Sequence, residues 1–235
     1  MRALTPQPRL VEQVYHAILT EITEGKLPPN SRLIQDELAE AYGVSRQPVQ
    51  QALLLLRSHG LVSDAPRRGL VVAALDEEHA RNLYKIRSVL EGLACRMAAE
   101  NGAARARIDG PAIIAQGREA IESGSVAQQI EMDTRFHCFL YELSGNPLIA
   151  ETTKPHWDYL RRVMGEVLRE GDSVPGALWD EHAGILDAVC KGDGDAAEML
   201  ARKHICGASD IFVARLKAQR EGRIAASTKS MTDCA

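Results

Sequence analysis

Large aromatic side chains are scarce, with three Phe and two Trp in 235 residues. A core so poor in rings, in an Ala- and Leu-rich chain, points away from sandwiches and barrels and toward helices. The five cysteines, Cys95, Cys138, Cys190, Cys206 and Cys234, are odd in number and include no CxxC pair. A disulfide framework is therefore not expected, and reduced thiols are. No window has the unbroken apolar length of a membrane span, and MRALTPQPRL lacks the continuous apolar stretch of a secretion signal, so a cytoplasmic protein is expected. The net charge of -4 excludes a polycation. It is unevenly spread: residues 1–74 carry eight Lys/Arg against seven Asp/Glu, leaving twenty against twenty-five beyond.

The chain does hold a dense stretch, Leu33 to Gly60, with two helical patterns either side of Gly43. Leu38 and Ala39 precede the break, and Val49, Ala52, Leu53 and Leu56 follow it, so the two helices must pack at a sharp angle. Gly43 supplies a positive backbone angle, Val44 plugs between the helices, and Ser45 is placed to cap the second helix with Pro48 in its first turn. Ser45, Arg46, Gln47, Gln50 and Gln51 then occupy the exposed N-terminal side, the end that enters a major groove in helix-turn-helix proteins. An Arg can contact phosphate or guanine, and a Gln can pair with an adenine edge. A helix over Leu10–Glu24 precedes this stretch. After it, Leu61–Val62, a basic turn Ala65–Arg68 and Gly69–Ala73 read as a small hairpin. Helix, helix, hairpin is a winged helix-turn-helix.

GKLPPNSRL, LAEAYGVSRQPVQQAL, HGLV and RRG, in that order across residues 10 to 73, resemble the DNA-binding domain of the GntR family of bacterial transcription regulators. The resemblance implies DNA contacts from Arg46 and from the wing residues Arg67, Arg68 and Gly69. Arg32 joins them as a cation whose direction sets affinity. The family often has Arg where Gln50 stands and an acidic residue where Gln51 stands, and some members carry Arg at the place of Asp36.

From Glu77 onward the pattern is helical: 80–99, 111–122, 126–143, 148–168 with a break near Pro155, 175–190 and 196–218. Leu83, Ile86, Leu90, Leu93, Ala94 and Met97 share one stripe of the first of these. Long loops are expected near 101–110 and 169–176. The expected fold is mainly α, a winged helix-turn-helix domain (1–74), an all-α antiparallel helical bundle (75–220) and a disordered tail (221–235). LYKIRSVLEGLACRMAA, DTRFHCFLYELSGNPLI, EHAGILDAVCKGD and His204 make this half similar to the FCD effector domain of FadR-like GntR regulators.

Asp133 and His137 lie four apart on one helix face. His182 and His204 stand ten residues before Gly192 and ten after Gly194, so an antiparallel helix hairpin sets them at equal height. Their stripes are apolar, which points them inward. One such histidine is usually a hydrogen-bonded core residue. Three with a carboxylate would be desolvated at a cost that a divalent cation offsets, and in the FCD resemblance these four positions match the metal ligands. Imidazole with one carboxylate suits zinc or nickel ahead of manganese or iron. Arg87, four residues before Glu91, is either an exposed ion pair or a contact to a carboxylate effector. Asn146 reads as a helix stop, Arg161 and Arg162 as solvated charges, and His156 has no fixed direction.

The expected function is a ligand-responsive transcription regulator, a repressor, binding an inverted-repeat operator in double-stranded DNA as a homodimer and sensing a small organic acid at the metal. One alternative is a metal-dependent hydrolase or lyase, although no HExxH or comparable acid/base signature is present. Another makes the metal itself the signal.

Overall fold

The computed structural model describes the backbone of residues 8–168 and 174–232, and the side chains of residues 10–168 and 176–218. It is mainly helical and divides into two compact units, residues up to Ala74 with Pro155–Glu166, and Leu75–Lys154 with the remainder from Val167.

In the first unit, α1 (Pro8–Thr23), α2 (Gln35–Ala41) and α3 (Arg46–Ser58) close over a sheet of β1 (Arg32–Leu33), β2 (Val62–Asp64) and β3 (Leu70–Val72). The α1 stripe Val14, Ile18 and Ile22 meets Val49, Leu53 and Leu56 of α3, with Leu33, Val62 and Val72 beneath them, all buried. Burial of this set, at about 25 cal/mol per Å² of apolar surface, is what holds three short helices to three short strands. The α2–α3 turn is as expected: Gly43 takes φ +62° and the Val44 amide donates to Ala39 O at 2.9 Å. Ser45 does occupy the N-cap position of α3, but its hydroxyl makes no capping hydrogen bond. The hairpin is present, with Ser63 opposite Val71 and the Ala65 amide donating to Gly69 O at 2.9 Å. Strand β1 pairs with β3 on the other side, giving the order β1-β3-β2. Two residues are too short for an alternating pattern to reveal that strand in sequence.

The segment Pro155–Glu166 packs with this unit through α8 (Trp157–Leu168). Asp158 accepts from the Tyr15 hydroxyl, and Arg162, one helical turn on, donates to Ala73 O. Arg162 is buried rather than solvated. Its charge is tied to the end of the wing strand, which no sequence spacing discloses.

The second unit comprises α4 (Glu77–Asn101), α5 (Ala103–Glu122), α6 (Val126–Ser144), α7 (Pro147–Thr153), α9 (Val174–Lys191) and α10 (Gly194–Thr232). A 3-10 turn, Lys154–His156, follows α7. The core gathers Phe136, Phe139 and Leu140 of α6 with Trp179, Ile185 and Val189 of α9 and Ala197 and Ala201 of α10. The expected loop at 101–110 is helix instead, joined to α4 by Gly102 alone. Pro111 reads as a helix start in sequence, yet here it sits inside α5. Packing outweighs its missing amide: Ala106 is buried, Gly110 leaves room for Leu186, and Arg107 Nε donates to Cys190 O at 2.8 Å. The α4 stripe is also split, since Leu83 and Ala94 are buried while Ile86 and Leu93 face solvent.

Residues 169–173 of the second expected loop and 233–235 of the expected tail lie outside the described residues, and α10 is bounded at Thr232. Cys95, Cys138, Cys190 and Cys206 form no disulfide among the described residues, and Cys234 lies outside them. Among the described residues, no helix is long and apolar enough to cross a membrane.

Candidate metal centre and nucleic-acid interface

Three helices of the second unit each deliver one imidazole to a common point. His137 comes from α6, His182 from α9 and His204 from α10, and one ring nitrogen of each lies within 4.8 Å of the others. Nε2 of His182 stands 3.0 Å from Nε2 of His204. Asp133, one turn before His137 on α6, sets its two carboxylate oxygens 3.7 Å from His137 Nε2 and 3.6 Å from His182 Nε2. The structure thus brings together the four residues that the sequence singles out.

The far nitrogens show which way the near ones are set. His137 Nδ1 lies 3.0 Å from Glu91 Oε2, and His204 Nδ1 lies 2.7 Å from Glu181 Oε2. A carboxylate can only accept, so these Nδ1 atoms carry the protons and the inward Nε2 atoms present bare lone pairs. Nδ1 of His182 has no hydrogen-bond partner among the described residues, and its ring is held by stacking on Phe136 at 4.2 Å and by the edge of Trp179 at 4.8 Å. Burial first, then the neighbouring histidines and Arg87, push His182 well below its ordinary value. It is neutral and can act as a ligand. The His137 and His204 lone pairs, the His182 Nε2 and a carboxylate all face one point, an arrangement a cation would satisfy, and carboxylate-to-imidazole-to-metal chains are how proteins orient such ligands. The donor set thus fits a divalent metal.

Glu91 and Glu181 were not singled out by sequence reasoning as orienting groups. In sequence Glu91 stands out only as a possible i,i+4 partner of Arg87. In the structure that pair is buried: Arg87 Nε donates to Glu91 Oε1 at 2.8 Å, and the Tyr141 hydroxyl donates to the same oxygen at 2.5 Å. Burial alone raises the Glu91 carboxyl, but His137 and Arg87 outweigh it and hold the group below the ordinary range. The i,i+4 spacing was visible, whereas the burial that changes its meaning was not. Arg87 itself also senses Asp133 and stacks over Tyr84, 5.9 Å from the ring centre. Asn146 is a helix N-cap, its side chain accepting from the Leu148 amide at 3.1 Å. His156 falls in the segment that packs with the other unit.

On the first unit, Arg32, Ser45, Arg46, Gln47, Gln50, Gln51, Arg67, Arg68 and Gly69 are all exposed. Gly69 adopts φ +99°, a left-handed angle that suits glycine at the wing tip. Arg32 donates to Arg68 O at 3.1 Å, bracing the wing from β1. Arg46 is paired with the Asp36 carboxylate of α2. That partner is exposed, so the pair is weak and the guanidinium can exchange it for a phosphate.

Comparison with known proteins fits both halves. The model of the bacterial regulatory proteins of the gntR family matches residues 10–72, and that of the FCD domain matches residues 82–206. The HTH-type transcriptional repressor RspR of Escherichia coli K12 is 28% identical over 208 residues, covering 86% of this chain and 88% of RspR. The HTH-type transcriptional regulator McbR of the same strain is 30% identical over 148 residues, 63% of this chain and 67% of McbR. Among solved structures, E. coli McbR/YncC shares the fold with a TM-score of 0.73 at 23% identity, covering 88% of this chain and 98% of that one. A putative GntR regulator from Rhodococcus sp. RHA1 does so with the same score, over 87% and 97%.

Proposed function

The chain belongs to the gntR family of bacterial regulatory proteins, in the branch that carries an FCD domain, and from that premise we propose a ligand-responsive repressor that binds an inverted-repeat operator as a homodimer. That it is a DNA-binding transcriptional regulator follows from the family and from relatives such as RspR and McbR. The hydrolase or lyase reading falls with it, because family and relatives are regulators and not enzymes.

The helical unit holds one divalent metal, zinc or nickel, on Asp133, His137, His182 and His204. A small organic acid binds beside it, with Arg87 supplying positive charge from the adjacent buried pair. One observation supports this reading above others: three imidazoles and a carboxylate face one point, with the outer Nδ1 atoms of His137 and His204 each committed to a carboxylate. Four protein ligands leave room for a carboxylate oxygen where the metal is five- or six-coordinate. Ligand binding biases the placement of the winged units, and a recognition helix moved off register loses phosphate and base contacts together. Reduced thiols and a DNA target support a cytoplasmic location.

The test combines metal analysis of the purified chain with a gel shift on the DNA upstream of its own coding region. One equivalent of metal, a salt-sensitive shift and release of DNA by a member of an organic-acid panel are expected. A metal-free protein, or a shift indifferent to every acid in the panel, would sink the sensor reading.

A further inference from the structure

The exposed start of α3 carries little net charge. Ser45, Gln47, Gln50 and Gln51 are uncharged, and Arg46 is the cation among them. Against it lies a carboxylate from the first turn of α2, with Asp36 Oδ1 on Arg46 Nε. An anion beside the tip of a helix that enters a major groove is the reverse of what attraction to phosphate asks. We propose that Asp36 is a specificity-determining residue, which accepts a hydrogen bond from the exocyclic amine of one cytosine in each operator half-site. The inference rests on the operator reading above and is independent of the metal and the effector.

The Asp36 side chain is 58% exposed and that of Arg46 73%, so the pair is open to an incoming duplex. A carboxylate has about four lone-pair sites and a guanidinium five N–H groups, so the contact between them exhausts neither. Arg46 can reach a phosphate with its outer nitrogens while Nε steadies Asp36. Asp36 itself can only accept, and a phosphate offers it repulsion alone. In the major groove guanine and thymine present acceptors, and opposite either one the Asp36 charge would lose water without gaining a partner. Cytosine presents its N4 amine and is the base that acidic side chains read. Adenine sets an N7 acceptor beside its amine, which suits Gln47, Gln50 and Gln51 instead. An acid that merely complements the α2 dipole needs neither Arg46 nor DNA, and Glu37 already fills that place in the same turn.

Selection of duplexes from a random DNA library by the full native chain tests the proposal, with Asp36→Ala and Asp36→Asn run in parallel. The native chain should enrich a motif with cytosine at one position of each half-site. Asp36→Ala should flatten that position, lowering discrimination there about tenfold, and should bind unrelated duplex more tightly because one repulsion with phosphate is gone. Asn pairs with adenine by donating and accepting together, so Asp36→Asn should replace cytosine with adenine at the same position. An unchanged melting temperature and unchanged preferences elsewhere in the motif report a folded winged unit. One motif common to all three chains overturns the inference and leaves the operator reading standing. So does a uniform loss of affinity with the motif unaltered, which makes Asp36 a support for Arg46 alone. A native chain that enriches no motif overturns both.

Discussion

Single residues carry the metal centre's chemistry, and their protons make it sensitive to acid. The His182 value is depressed on folding, so below its ordinary value of 6.5 the unfolded chain takes up a proton that the native chain refuses. Stability is therefore lost as pH falls below that point, and the depressed Glu91 adds a further loss below its ordinary 4.5. Thermal melts of the helical unit should fall monotonically from pH 7 to pH 5 while metal is released; a flat profile over that range would contradict a buried neutral His182. Replacing His182 or His204 with Ala should lower metal content and melting temperature together, and unchanged stoichiometry in both would remove them from the ligand set. Glu91→Gln should cost on the order of 3 kcal/mol, because Arg87 then keeps its buried charge without an anion. It should also weaken metal binding about 10- to 100-fold by releasing the His137 ring. At the other end of the chain, Arg46→Ala should weaken operator binding by about 1–3 kcal/mol and leave metal content alone.

Elements matter where helices approach closely enough to exclude a side chain. Gly117 of α5 lies under Trp179 of α9, and a Cβ there would fall 2.0–2.2 Å from the indole ring. Trp179 cannot retreat freely, since its other contacts include His182. Gly117→Ala should therefore destabilise the bundle by about 1–3 kcal/mol and weaken metal binding as well, although residue 117 is not a ligand. Calorimetry with metal titration reads both effects, and a fully stable, metal-replete variant would show that the two helices can part at no cost. The same packing explains why α5 continues through Pro111: Ala106 and Gly110 seat the preceding turns against their neighbours, and a local stop signal yields to tertiary burial.

For the whole molecule, the metal is expected to act as a ligand of the folded state. A cation at 1,000 times its Kd contributes about 4 kcal/mol, which at 2–4 °C per kcal/mol for a chain of this size amounts to roughly 10 °C. Chelation should lower the melting transition by that order and leave the winged unit's own core intact, because Val14, Ile18, Val49 and Leu53 need no metal. A melting curve unmoved by chelator would separate the ion from the fold. Operator affinity should fall steeply with salt, as phosphate contacts from Arg32, Arg46, Arg67 and Arg68 are exchanged for released counterions.

The sequence alone determined the helix-turn-helix, the hairpin and the gathering of Asp133, His137, His182 and His204, because each is written in local spacing. Gly43 between two apolar helices, Asp133 four before His137, and His182 and His204 equidistant from their turn all reduce to counting residues along a helix. Tertiary structure alone decided which neighbours acquire meaning from burial. Arg87 with Glu91 and the charge of Arg162 look solvated in sequence and are buried in the fold, while Ile86 and Leu93 look like core and face outward. Helical periodicity tells which residues share a face, but it cannot tell which face the rest of the chain will cover.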